Sequence, residues 1–147
     1  PNLQRLSLHA KLLAGAATQP DNWWEGERYE RILLDVPCSA SGVIRRHPDI
    51  KLLRRASDMD ELTARQAAIL DAMWPLLAPG GMLLYCTCSV FRAENSDRAG
   101  EFLARHGDAG EVGIASAWGH GCTHGRQIFP GENQMDGFYF ACLRKNS

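Results

Sequence analysis

Gly80-Gly81-Met82-Leu83-Leu84-Tyr85-Cys86-Thr87-Cys88-Ser89 is a short apolar run that ends in a thiol. Residues 82–85 have the length of a buried strand, with Pro79-Gly80-Gly81 as a turn behind them and a charged, helix-compatible segment ahead. Parallel sheets present their chemistry at the carboxyl ends of strands, which is where this reading puts Cys88. A second run, Arg31-Ile32-Leu33-Leu34-Asp35-Val36-Pro37-Cys38-Ser39-Ala40-Ser41-Gly42, repeats the pattern with Asp35 and Cys38 at its end. Two strand ends bearing two thiols and a carboxylate predict an α/β fold organised around one edge of a sheet.

The 147 residues have the size of one domain, and 45% of them are hydrophobic, enough for a core. With 16 Lys and Arg against 17 Asp and Glu, the formal charge of −1 does not announce a polyanionic partner, so local charge has to carry that question. No apolar run reaches the roughly 18 residues of a membrane span and no signal peptide opens the chain, so the expectation is a cytoplasmic protein. Cys38, Cys86, Cys88, Cys122 and Cys142 form an odd set without secretory features, which argues for reduced thiols over a disulfide framework. Pro1 stands first and residues 2–8 read like the inside of a helix, so a piece of a longer polypeptide is expected.

Periodicity orders the rest. Residues 9–14 read as a strand closing at Gly15, residues 18–28 as a loop with Trp23-Trp24 as a packing plug, and residues 29–34 as the next strand. A helix is predicted from Ser57 or Asp58 to Leu77, capped by Asp58 with Glu61 or Ser57 with Asp60, and ended by Pro79 and Gly80. Its inward face carries Leu62, Gln66, Ile69, Leu70, Met73, Trp74 and Leu77, apolar except for Gln66. It links two strands in the right-handed crossover that parallel sheets demand. A second helix is expected over residues 93–106, a weak strand over 111–118, a glycine-rich loop over 119–125, a turn at 130–133 and a last strand over 137–143.

Each chemical motif has a plainer counterpart. The two strand-end thiols lie 50 positions apart and could be core filler, but Cys38 sits between Pro37 and the small residues Ser39-Ala40-Ser41-Gly42, which suit close approach by a ligand. Cys86 and Cys142 read as core members. A redox or metal pair at Cys86 and Cys88 conflicts with disulfide geometry and with zinc-ligand spacing. His120-Gly121-Cys122-Thr123-His124 offers too few ligands for a metal site and reads as a loop. Arg45, Arg46, His47, Lys51, Arg54 and Arg55 form a basic patch offset only by Asp49. Such runs are usually solvated faces, yet this one follows the Cys38 loop, where a phosphate backbone would have to be held if the substrate were RNA.

Asp35 to Gly42 resembles the D-A-P-C-S-[GA]-[TS]-G element of the RNA cytosine-5 methyltransferases, and Tyr85-Cys86-Thr87-Cys88-Ser89 resembles their Y-[SC]-T-C-S element. Arg46-His47-Pro48-Asp49-Ile50, the Gln66 helix, Pro79-Gly80-Gly81 and Asp136-Gly137-Phe138-Tyr139 match in order, so the likeness spans nearly the whole chain. It is greatest to the bacterial branch that modifies small-subunit ribosomal RNA. The resemblance implies a Rossmann-like class I methyltransferase sheet of order 3-2-1-4-5-7-6, with residues 1–147 as part of a catalytic domain dependent on S-adenosylmethionine.

It further implies that Cys88 is the nucleophile toward carbon 6 of cytosine, that Cys38 assists release, and that Asp35 holds the base edge and, with Pro37, touches the cofactor. RNA is the implied partner, held by the basic patch. Two departures stand out. The first two strands, with the glycine-rich cofactor loop and the ribose-gripping acid, precede the chain in this reading, and Ala16 stands in Gly15-Ala16-Ala17 where the family tends to carry an acid. The truncation predicts a rearranged amino-terminal segment or self-association through the exposed edge of the strand at 29–34. Two other functions fit the residues: an RNA binder without catalysis, and a thiol or metal protein using Cys86, Cys88 and the loop from His120 to His124.

Overall fold

The computed structural model describes residues 2–147. Ile32 and Leu34 alternate with exposed neighbours in β1 (Tyr29–Asp35), so one face of this strand is buried and the other is open. The chain then crosses α2 (Ile50–Leu53) and α3 (Ala56–Met73) before β2 (Leu77–Thr87), which pairs parallel to β1 from Arg31 opposite Met82 to Asp35 opposite Cys86. Parallel neighbours need such a crossover, and α3 covers the buried face as its periodicity predicts. Gln66, Ile69, Leu70 and Met73 are buried on that helix.

The limits of α3 differ from expectation at both ends. It starts at Ala56, and the Asp58 carboxylate caps it from inside by accepting the Arg55 backbone N–H at 3.0 Å. It ends at Met73, not at Leu77, because Pro75 has no N–H to continue the ladder; Trp74–Leu76 tightens into a 3-10 turn. Pro79-Gly80-Gly81 is no connection between elements. It bulges within β2, where the register with β1 slips between Tyr29 and Arg31, and Gly80 takes φ +76°.

β6 (Phe138–Lys145) runs antiparallel to β2, and its far edge is shared by two short strands. β5 (Arg126–Ile128) pairs with the first half of β6 and β3 (Ala109–Val112) with the second, while β4 (His120–Gly121) adds to β5. Reading β1 as the fourth strand of the implied sheet, the order 4-5-7-6 is present. The supposed loop at 119–125 thus contributes one strand, β4, to a small antiparallel pair.

Between β2 and β3 lies α4 (Ser96–Arg105), preceded by a separate 3-10 turn, Arg92–Glu94, where one helix over 93–106 was predicted. Asn95 breaks the two apart at φ −113° and ψ −106°, held by Thr87, Ser89 and Gln127. Leu70, Leu83, Phe102, Tyr139 and Leu143 are fully buried between the sheet and α3 and α4. Each such apolar side chain contributes about 1.5–3 kcal/mol of burial.

The expected strand at 9–14 does not form. After the short α1 (Asn2–Arg5) the segment is irregular, with Leu12 79% exposed, because no neighbouring strand pairs its backbone groups. Trp23 and Trp24 do pack against the core, and the Trp23 indole donates to the Ala16 carbonyl at 2.9 Å.

Candidate active site

The parallel pair β1 and β2 ends in two loops, and their thiols meet. Cys38 Sγ lies 3.4 Å from Cys88 Sγ, and both side chains are half-buried. The loop after β1 turns sharply because Ala40 adopts the left-handed conformation at φ +60°. Gly42 then passes so close to the start of β6 that an added Cβ would stand 2.2 Å from the Gly137 carbonyl oxygen. The Gly42 N–H donates to the Cys88 carbonyl at 2.9 Å and Gly137 N–H to Gly42 at 2.8 Å. The small residues of the first motif therefore lock it against the second motif and the Asp136-Gly137 segment that leads into β6.

Beneath the thiols sits a carboxylate that the sequence did not single out. Glu94 is fully buried and accepts from the Ser39 N–H at 2.8 Å, the Ser39 hydroxyl at 2.6 Å, the Gln66 amide at 3.0 Å and the Ser89 hydroxyl. Those four donors match the four lone-pair directions of a carboxylate. Gln66 also donates to the Pro37 carbonyl at 2.9 Å, and the Tyr85 hydroxyl to the Glu94 carbonyl at 2.6 Å. The only sequence signal was Gln66, the polar residue on an otherwise apolar helix face. Glu94 in a charged segment gives none.

The electrostatics separate the thiols. The hydrogen bond from Cys38 holds Cys88 down to about 7, against burial and the Asp35 charge, which act upward. The same contact, with burial, pushes Cys38 far up. Burial and the nearby Asp35 raise Cys86 to about 11, and its thiol donates to the Leu34 carbonyl at 3.3 Å. Cys142 is buried in β6.

Asp35 and Pro37 are exposed and line a pocket of about 310 Å³ with Gly15, Ala16, Ala17, Arg65 and Ile69. Carboxylate, guanidinium and small apolar walls at a strand end fit a polar ligand carrying a flat ring. The basic patch divides. Arg46 pairs with Asp136 at 2.6 Å, Arg45 donates to the Met135 carbonyl and the Gln134 side chain, and Arg54 donates to the Ser39 carbonyl at 2.8 Å. These three brace the site; Lys51 and Arg55 make no salt bridge among the described residues and His47 is exposed. In the 120–124 loop the imidazoles go to different carboxylates, His120 to Glu132 and His124 to Glu111, each at 2.7 Å.

Fold and site together define a Rossmann-like α/β protein whose two parallel strands deliver two thiols and a carboxylate to one end of the sheet. The chain belongs to the family described as 16S rRNA methyltransferase RsmB/F, which it matches over residues 1–144. It is 53% identical over 146 residues to ribosomal RNA small subunit methyltransferase B of Vibrio vulnificus, covering 99% of this chain and 33% of that protein. To the protein of the same name from Vibrio cholerae it is 56% identical over 144 residues, covering 98% and 32%. The crystal structure of NSun6 from Pyrococcus horikoshii with SFG superposes with a TM-score of 0.84 at 27% identity, covering 99% of this chain and 37% of that one. The chain thus spans about a third of the length of the curated relatives it matches. No helix among the described residues is long and apolar enough to cross a membrane.

Proposed function

We propose that this chain carries the thiol-bearing part of an S-adenosylmethionine-dependent RNA cytosine-5 methyltransferase whose substrate is small-subunit ribosomal RNA. The reading is carried by the 3.4 Å approach of Cys38 and Cys88, in which one thiol is biased toward the anion and the other toward the acid. It is supported by the relatives' names and by the neighbour solved with SFG, an analogue of that cofactor.

Carbon 5 of cytosine is a poor nucleophile. The Cys88 thiolate adds to carbon 6 and pushes electron density to carbon 5. When bound, S-adenosylmethionine supplies an electrophilic methyl group there, held by Asp35 and Pro37 in the pocket that also contains Ala16. Asp35 accepts a hydrogen bond from the base edge. Once Cys88 is bonded to carbon 6 it no longer holds Cys38 protonated, so Cys38 can ionise and accept the carbon 5 proton as the bond from carbon 6 to Cys88 breaks and the thiolate leaves. The base must leave its stack to reach the thiols. Lys51, Arg55 and His47 hold the phosphates, with Arg45, Arg46 and Arg54 keeping that surface in place.

A polypeptide extended upstream, incubated with cofactor and RNA containing 5-fluorocytosine, is expected to form a covalent complex stable in denaturing gels. Cys88→Ala abolishes it. Cys38→Ala accumulates a complex even with ordinary cytosine, because addition outlives release. A complex retained in Cys88→Ala would refute the assignment. Calorimetric titration with S-adenosylmethionine, on this chain and on the extended one, measures how much of the cofactor site the 310 Å³ pocket supplies.

A further inference from the structure

The two cysteine loops also meet in a second cavity, of about 370 Å³, whose apolar walls the chemistry above does not use. Ile44, Ile50, Val90 and Phe91 give it apolar walls, Ser41 closes it from the first loop, and Lys51 and Arg54 supply its charge. No carboxylate lines it.

Its aromatic stands on an anchored backbone yet is unburied. The Phe91 N–H donates to the Ser89 hydroxyl and the Val90 N–H to the Ser41 hydroxyl, both at 3.0 Å, while the Phe91 side chain remains 47% exposed. A ring carried at the surface on a doubly anchored backbone forgoes core burial and offers a flat apolar face. The cations are similarly poised. Arg54 is tethered through Nε to the Ser39 carbonyl at 2.8 Å, which leaves its terminal nitrogens without a hydrogen-bond partner among the described residues. Lys51 is exposed.

A flat ring, apolar walls and two unneutralised cations match a nucleotide, whose base stacks and whose phosphate is anionic. An aliphatic ligand would leave the charges unused, and an acidic peptide the ring. Val90 is two residues past Cys88, so their Cα atoms are within about 7 Å. That is the reach of a neighbouring nucleotide in the same strand.

We propose that this cavity is a subsite for the unpaired nucleotide adjoining the reactive cytosine, its base against Phe91 and its phosphate between Lys51 and Arg54. The proposal rests on the RNA reading above but has its own readout. Fluorescence titration of a pentaribonucleotide carrying 2-aminopurine next to its cytosine, at fixed salt, should show a binding-dependent change of emission. Phe91→Ala should weaken binding about tenfold, the scale of one base–aromatic stack, and Phe91→Trp should restore it. An abasic site in place of the 2-aminopurine should cost the wild-type chain the same factor and the Phe91→Ala chain nothing more.

The half-exposed position of Phe91 keeps these variants foldable, which thermal unfolding verifies. Phe91→Ala binding as tightly as wild type overturns the subsite, as does binding that falls only with Lys51→Ala and Arg54→Ala. So does finding Phe91 shielded by protein in an upstream-extended polypeptide. Formation of the 5-fluorocytosine complex is scored separately. Without it but with Phe91-dependent binding, the methyltransferase reading fails and the subsite stands; with it and no dependence on Phe91, the subsite alone falls.

Discussion

Cys88 is the one thiol of the five whose surroundings favour the anion, and a single neighbour does most of it. With its midpoint near 7 rather than the ordinary 9.0, about half of it is thiolate at neutral pH instead of about one part in a hundred. The sign of the dependence follows. Reactivity of Cys88 rises as pH climbs through about 7 and is lost below it, whereas Cys86, at about 11, stays protonated throughout. Cys38→Ala removes the largest downward influence, so the pH midpoint of Cys88 alkylation by iodoacetamide should move up toward 9, and Cys38→Ser should fall between. An unchanged midpoint would show that the 3.4 Å contact does not control the ionisation of Cys88. Both thiols were legible in the sequence because each follows a strand-length apolar run. The left-handed turn at Ala40 was not, since alanine seldom takes that conformation and nothing local marks it.

The two loops come from different strands, so something must hold them in register, and Glu94 does so from the 3-10 turn after β2. It accepts from the loop after β1, from the loop after β2 and from α3, and makes no salt bridge among the described residues. Removing it strands several buried donors, at a cost on the order of 3 kcal/mol. Glu94→Ala should therefore lower the thermal midpoint and also raise the Cys88 alkylation midpoint, because the thiols drift apart and the lost Cys38 hydrogen bond, the largest influence on Cys88, outweighs the removal of the small upward push of the Glu94 charge. Glu94→Gln, which keeps one acceptor and the side-chain volume, should lose less of both. A loss of stability with the alkylation midpoint fixed would reduce Glu94 to a packing residue. The elements themselves were legible to unequal degrees. α3 declares itself through its 3.6-residue period, but its end was misplaced because Pro75 was passed over for the stronger Pro79-Gly80 signal. The β4 and β5 pair is too short to show a two-residue alternation. Residues 9–14 have a strand-like composition without a partner, and composition alone does not close a ladder.

Across the whole molecule the two sides of the sheet are covered unequally. Ile32, Leu34, Leu83, Tyr85, Tyr139, Ala141 and Leu143 face the helices; on the other side Phe140 packs against Trp118 and Cys86 and Cys142 are buried, but Leu33 is 66% exposed beside a cavity of about 370 Å³ that Met82, Leu84 and Cys142 also line. The outer edge of β1 has no partner strand among the described residues, and Leu8, Leu12 and Leu13 are more than half exposed nearby in the chain. An unpaired edge beside an apolar face is an invitation to associate. In relatives about three times as long, further chain is available to meet that surface. The isolated chain is therefore expected to self-associate at tens of micromolar, with little dependence on salt because the contact is apolar. Leu33→Glu places a charge on the face and beside the edge, and should return the chain to a monomer while leaving the Cys88 alkylation profile unchanged. Size-exclusion chromatography with light scattering reads both outcomes. A wild-type chain that elutes as a monomer over this range would mean that the irregular segment at 8–16 folds back over the edge.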